Sequence, residues 1–98
     1  MKKTFHMIHP KKKYARVVDD VRCEIKRYLK RERKKELPEG FNVWDFECKF
    51  GVSPETAEIV AVTDLPKAMD RGEILQLETF YIEILAHAGH REARLHED

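Results

Sequence analysis

The tightest constraint on the fold is "VWDFECKF", residues 43–50. Side chains of a strand point to alternate faces, so Trp44, Phe46, Cys48 and Phe50 share one side, and Asp45, Glu47 and Lys49 the other. A strand with one aromatic face and one charged face needs a second layer over its aromatic side. The rest of the chain has to supply that layer and the neighbouring strands.

A covering helix is legible upstream. From about Tyr14 to Glu36, the residues Tyr14, Val17, Val18, Val21, Ile25, Tyr28 and Leu29 recur at three- and four-residue steps. At about 100° per residue they occupy roughly a third of a helical wheel. Basic residues fill the remaining face. After Leu29 the apolar stripe fades into Glu32, Lys35 and Glu36, which predicts two final turns projecting past the core as a charged peg. "LPEG", 37–40, ends the helix, with Pro38 as breaker and Gly40 as the flexible point.

Downstream, "AEIVAV", 57–62, reads as a strand joined to 43–50 by the loop "GVSPET", which predicts an antiparallel hairpin. "TFHMIH", 4–9, alternates weakly and is closed by Pro10, so it reads as a short strand. Whether it pairs beside 57–62 stays open. Asp64 is placed to cap a helix beginning at Leu65 and Pro66. Leu65, Ala68, Met69 and Gly72 are out of phase with Ile74, Leu77, Tyr81, Ile84 and Leu85. This predicts a short helix, a break near Arg71 and Gly72, and a main helix to about His87 with a second apolar stripe at Leu75, Ile82 and Ala86. Gly89 then ends the helix, leaving residues 88–98 as a polar tail. The expected fold is α+β in the order β-α-β-β-α, with two main helices on one face of a small, mostly antiparallel sheet.

Ninety-eight residues suit one domain with one core, so 1–98 is read as a single domain. Cys23 and Cys48 form no CxxC pair, which points away from a disulfide framework or a zinc site and towards a reducing cytoplasm. After "MKK" the chain continues "TFHMIHPKKK", without the apolar run of a signal peptide. No run of eighteen apolar residues offers a membrane span.

The net charge of +1 conceals a polarised chain. Residues 1–35 carry fourteen Lys or Arg against four acids, a balance of +10, while residues 36–98 carry five against fourteen, a balance of −9. Such asymmetry fits an anionic partner for one half, or two halves that neutralise each other in the fold.

The segments "MKKTFH", "KRERKKELPEGFNVWDFECKFG" and "LETFYIEILAHAGHR" resemble a family of short bacterial proteins classed as a domain of unknown function. The resemblance implies a complete, single-domain bacterial cytoplasmic protein. It carries no catalytic residue, cofactor or partner with it.

Among the residues themselves, the basic helix is the first candidate for function. Lys26, Arg27, Lys30, Arg31, Arg33, Lys34 and Lys35, preceded by Lys11, Lys12 and Lys13, have the chemistry to track RNA or DNA phosphates; the bland reading is a solvated helix face. The aromatic strand is either a stacking platform or, with Cys48 among the rings, the core, and the core reading is preferred. His6 and His9 diverge on a strand, and His87 and His90 lack zinc-site spacing, so no metal ligands and no cofactor are assigned. Ser53 has no nucleophile-elbow pattern, Cys48 is expected to be buried and inert, and Cys23 exposed on the polar side of the first helix. No catalytic residue is assigned, and the reading leans away from an enzyme. The second function class is an interaction module without nucleic-acid binding, using Leu75, Ile82 and Ala86 to pair with a second copy, or the basic peg to engage an acidic protein.

Overall fold

The computed structural model describes residues 1–90. Its elements are β1 (Lys2–His6), α1 (Tyr14–Arg33), β2 (Val43–Gly51), β3 (Glu58–Ala61), α2 (Leu65–Ile74) and β4 (Thr79–Gly89), with a single 3-10 turn, Val62–Asp64, leading into α2. Among these residues the sheet has four antiparallel strands in the order β1-β4-β2-β3. The α+β class holds, and the observed order is β-α-β-β-α-β.

The hairpin of β2 and β3 forms as expected, with Cys48 opposite Val60 and Lys49 opposite Ile59. The first strand joins the sheet, but at the far edge from β3, pairing Phe5 with Phe80. Both helices pack on the face carrying Phe46, Cys48 and Phe50. Val17, Val18, Val21 and Ile25 of α1 and Leu65 and Met69 of α2 meet Phe5, Met7, Cys48, Phe80, Ile82 and Ile84 in one core. Gly40 adopts φ +92°, a left-handed turn that a side chain would strain, just where "LPEG" reverses the chain.

The main helix expected over Ile74–His87 does not exist. Thr79–Gly89 is instead the central strand, flanked by β1 and β2. Buried partly on both faces, it has apolar residues in both alternating sets: Phe80, Ile82 and Ile84 under the helices, Tyr81 and Leu85 on the other side. Two apolar sets satisfy a helical and a strand period at once, which is why the helix reading arose. The polar tail also starts later than expected, since Ala88 and Gly89 pair with Trp44 and Val43; residues 91–98 lie outside the described residues.

α2 runs on through Arg71 and Gly72, where the break was expected, and stops at Ile74 by a signal that does not use glycine. The Leu77 amide donates to the Gly72 carbonyl at 3.1 Å and the Gln76 amide to the Glu73 carbonyl at 3.0 Å, with Gln76 at φ +53°. This is a Schellman motif with glutamine where glycine is usual. The Tyr14 hydroxyl shares its one proton between the carbonyls of Leu77 (2.8 Å) and Gly72 (3.2 Å), fixing the start of α1 against this helix end. Gln76→Gly relieves the left-handed strain and is expected to raise the unfolding free energy by about 0.5–1 kcal/mol, read from a urea melt. At the other end, Asp64 occupies the capping position of α2 without making a side-chain cap bond.

Candidate nucleic-acid interface

The second half of α1 carries the candidate site. Its buried stripe sets which residues face outward, and Lys26, Arg27, Lys30, Arg31, Arg33, Lys34 and Lys35 are all exposed. Lys30, Arg31 and Arg33 lie in the last turn, where cations also favour the helix dipole.

The cluster divides by what its members touch. The Lys35 ammonium sits 2.9 Å from the Glu32 carboxylate. The Arg31 guanidinium lies over the Tyr28 ring at 5.7 Å, and that of Arg33 over the Phe46 ring at 5.2 Å. The Trp44 indole N–H donates to the Lys35 carbonyl at 2.9 Å. The last turn is therefore seated on β2 rather than projecting as a free peg, because the aromatic face of β2 runs on beneath it. Lys26, Lys30 and Lys34 make no ion pair among the described residues and stand four apart, one row with about 6 Å of rise between neighbours. Arg27 lies beside this row, and its charge is the least of the cationic influences on Asp20.

The structure does not bring the earlier lysines to this site. Lys11, Lys12 and Lys13 precede the start of α1, about 30 Å along the axis from Lys34. Lys12 is bound to Asp20 at 2.8 Å, and that bond, first among several cationic influences, holds the Asp20 carboxyl below its usual range.

The two charged halves do meet, but elsewhere. Arg22, a residue not singled out from the sequence, bridges α1 to α2 through Asp70 and through Glu73 at 3.2 Å, and also bonds Asp19 at 3.2 Å. Burial opposes its charge, and the bonds to Glu73 and Asp70 outweigh that, raising its pKa. The acids of α2 are thus engaged at the middle of α1, upstream of the basic row. No periodicity in the sequence marks this contact, since it depends on how two helices lie together.

The other candidates resolve more simply. Phe46 and Phe50 are half-buried and pack against the core beneath the helices, and Trp44 is half-buried at the end of the same face. Leu75, Ile82 and Ala86 do not form a stripe: Leu75 is exposed beyond α2, Ile82 is fully buried, and Ala86 faces the helix side opposite Phe46. The proposed partner surface at these three residues fails with the helix that would have carried it. His87 lies on the uncovered sheet face, 3.7 Å from Glu47. Among the described residues no cluster of three or more His, Cys, Asp or Glu is placed to hold a metal ion, and no helix is long and apolar enough to cross a membrane.

The two thiols differ sharply. Cys23 is exposed, whereas Cys48 is 2% exposed and burial pushes its pKa up. An aromatic disulfide reagent is expected to titrate one thiol rapidly in the folded protein, and the second only on unfolding. The buried thiol's contribution to stability is present below the ordinary thiol pKa. It is lost as pH rises further, because the unfolded chain ionises first. A Cys23→Ser variant showing no fast thiol checks the assignment.

A two-helix layer on one side of an antiparallel sheet, with a row of uncompensated cations on the first helix, defines a small α+β protein. The chain belongs to a family of unknown function, DUF6172, whose model matches residues 1–95. No curated protein and no solved structure matches it.

Proposed function

We propose that this is a small cytoplasmic protein of bacterial type that binds RNA or DNA through backbone phosphates along the second half of α1, without strong sequence selection. The observation that carries this reading is the row Lys26, Lys30 and Lys34, with Arg27 beside it, left without ion pairs while the acids of α2 are occupied at Arg22. Phosphate binding by charge neutralisation asks for little more than an accessible set of cations. Arg31 and Arg33, braced on aromatic rings, add planar donors suited to phosphate oxygens. Two unpaired cysteines fit a reducing compartment.

The test is a fluorescence-anisotropy titration of labelled RNA and DNA from low to physiological salt, with a Lys30/Arg31/Lys34 charge-removal variant alongside. Salt-sensitive binding that the variant loses supports the reading. Absence of binding at low salt sinks it. A second reading, a protein-interaction module, draws on the exposed Ile59, Ile74 and Leu75.

A further inference from the structure

The two edges of the sheet are unlike. β1 carries Lys2 and Lys3 at its outer edge, residues that discourage another strand from pairing there. β3 ends the sheet on the other side with Glu58, Ile59, Val60 and Ala61, a segment with no lysine and no proline. Its outer side has no strand neighbour among the described residues, and Ile59 is 84% exposed. An open edge displays backbone N–H and C=O groups whose natural complement is another strand.

We propose that β3 is the seam of a two-fold dimer, in which a second copy of this chain adds its own β3 antiparallel and extends the sheet from four strands to eight. The register follows from side chains. Residues opposite one another in an antiparallel pair share a face, so a symmetric pairing is centred on a single residue. Centring on Glu58 sets like charges face to face. Centring on Ile59 sets the two exposed isoleucines together and places Glu58 opposite the second copy's Val60.

That register is complementary in charge as well. Between β3 and α2 lies a cleft of about 220 Å³ lined by Glu58, Val60, Arg71, Leu75 and Leu77 among others. Glu58 and Arg71 share it without forming an ion pair with each other or with any other described residue. Opposite Val60, each Glu58 enters the other copy's cleft on the side where Arg71 waits. Two-fold symmetry supplies the contact twice. Exposed Leu75 at the same cleft adds apolar area to the seam. This inference is independent of phosphate binding, because the seam is argued from residues of β3 and α2 and uses none of the basic row on α1.

The test is the mass of the full chain in solution, by light scattering over a wide concentration range, for the wild type and for Ile59→Lys. Ile59 is exposed, so the lysine variant is expected to keep its fold by circular dichroism while losing the dimer. A second measurement uses oxidation in a Cys23→Ser background. Ile59→Cys is expected to form a disulfide-linked dimer, whereas Ile74→Cys, 79% exposed but off the strand, is not. A wild type that is monomeric throughout overturns the proposal. So does a dimer that Ile59→Lys leaves intact, or equal cross-linking of the two cysteine variants.

Discussion

Replacing Phe80 with alanine is expected to lower the unfolding free energy by about 3–5 kcal/mol, the usual cost of emptying a large aromatic site. Phe80 is fully buried in the central strand, and its ring meets that of Phe50 edge-on, centroids 5.1 Å apart and planes at 72°. The helix above touches it closely: a Cβ on Gly72 would sit 2.9 Å from the Phe80 ring and 3.1 Å from that of Phe50. With the backbone of α2 already against the ring, and α2 tied to α1 through Arg22 and Tyr14, the surroundings have little freedom to close over a void. Domains of this size hold about 5–15 kcal/mol in total, so the variant would lose a substantial share of its stability. A urea melt with a lower midpoint and an unchanged slope is the expected signature. A loss below about 1 kcal/mol would mean that Phe80 is not at the centre of the core.

Neutralising Lys26, Lys30 and Lys34 together with glutamine is expected to weaken binding strongly and to flatten its salt dependence. Each phosphate contact contributes about 0.9 to the slope of log K against log salt on duplex DNA, so removing three contacts flattens it by about 2.7. These lysines hold no other described residue, so the fold should survive their loss. Neutralising Lys35 alone is a useful contrast, because Glu32 already compensates it. Parallel anisotropy titrations at several salt concentrations give the slopes. Equal slopes for wild type and variant would remove the row from the interface.

The sequence was most legible where one period was clean. The β2 alternation and the α1 stripe each have one wet face and one dry face, and both elements appear where those patterns place them. β4 was misread for a physical reason. A central strand with apolar residues on both sides loses the polar set that would mark its period, and Ile74, Leu77, Tyr81, Ile84 and Leu85 then fit three- and four-residue steps. The punctuation that should have stopped the helix was hidden as well, since the left-handed position fell to Gln76 rather than to glycine. Thr79, Phe80, Tyr81 and Ile82, a β-branched and aromatic run, were the remaining hint of a strand. The basic cluster could be located from its composition alone. Its freedom from the acidic half could not, because that rests on Asp70 and Glu73 meeting Arg22 across two helices.

The strand order also bears on how the chain reaches its fold. β4 is the last described strand, yet it lies between β1 and β2, so Lys2 finds Glu83 and Phe5 finds Phe80 from opposite ends of the chain. The helices and the β2–β3 hairpin need only nearby partners, but the first strand has no neighbour to pair with until β4 has arrived. Closing so long a loop is entropically costly and slows folding relative to helical domains of the same length. Until that closure, β2 exposes a second edge and Phe80 lacks its roof, so the interval before β4 docks is when this chain is most open to pairing with the wrong strand.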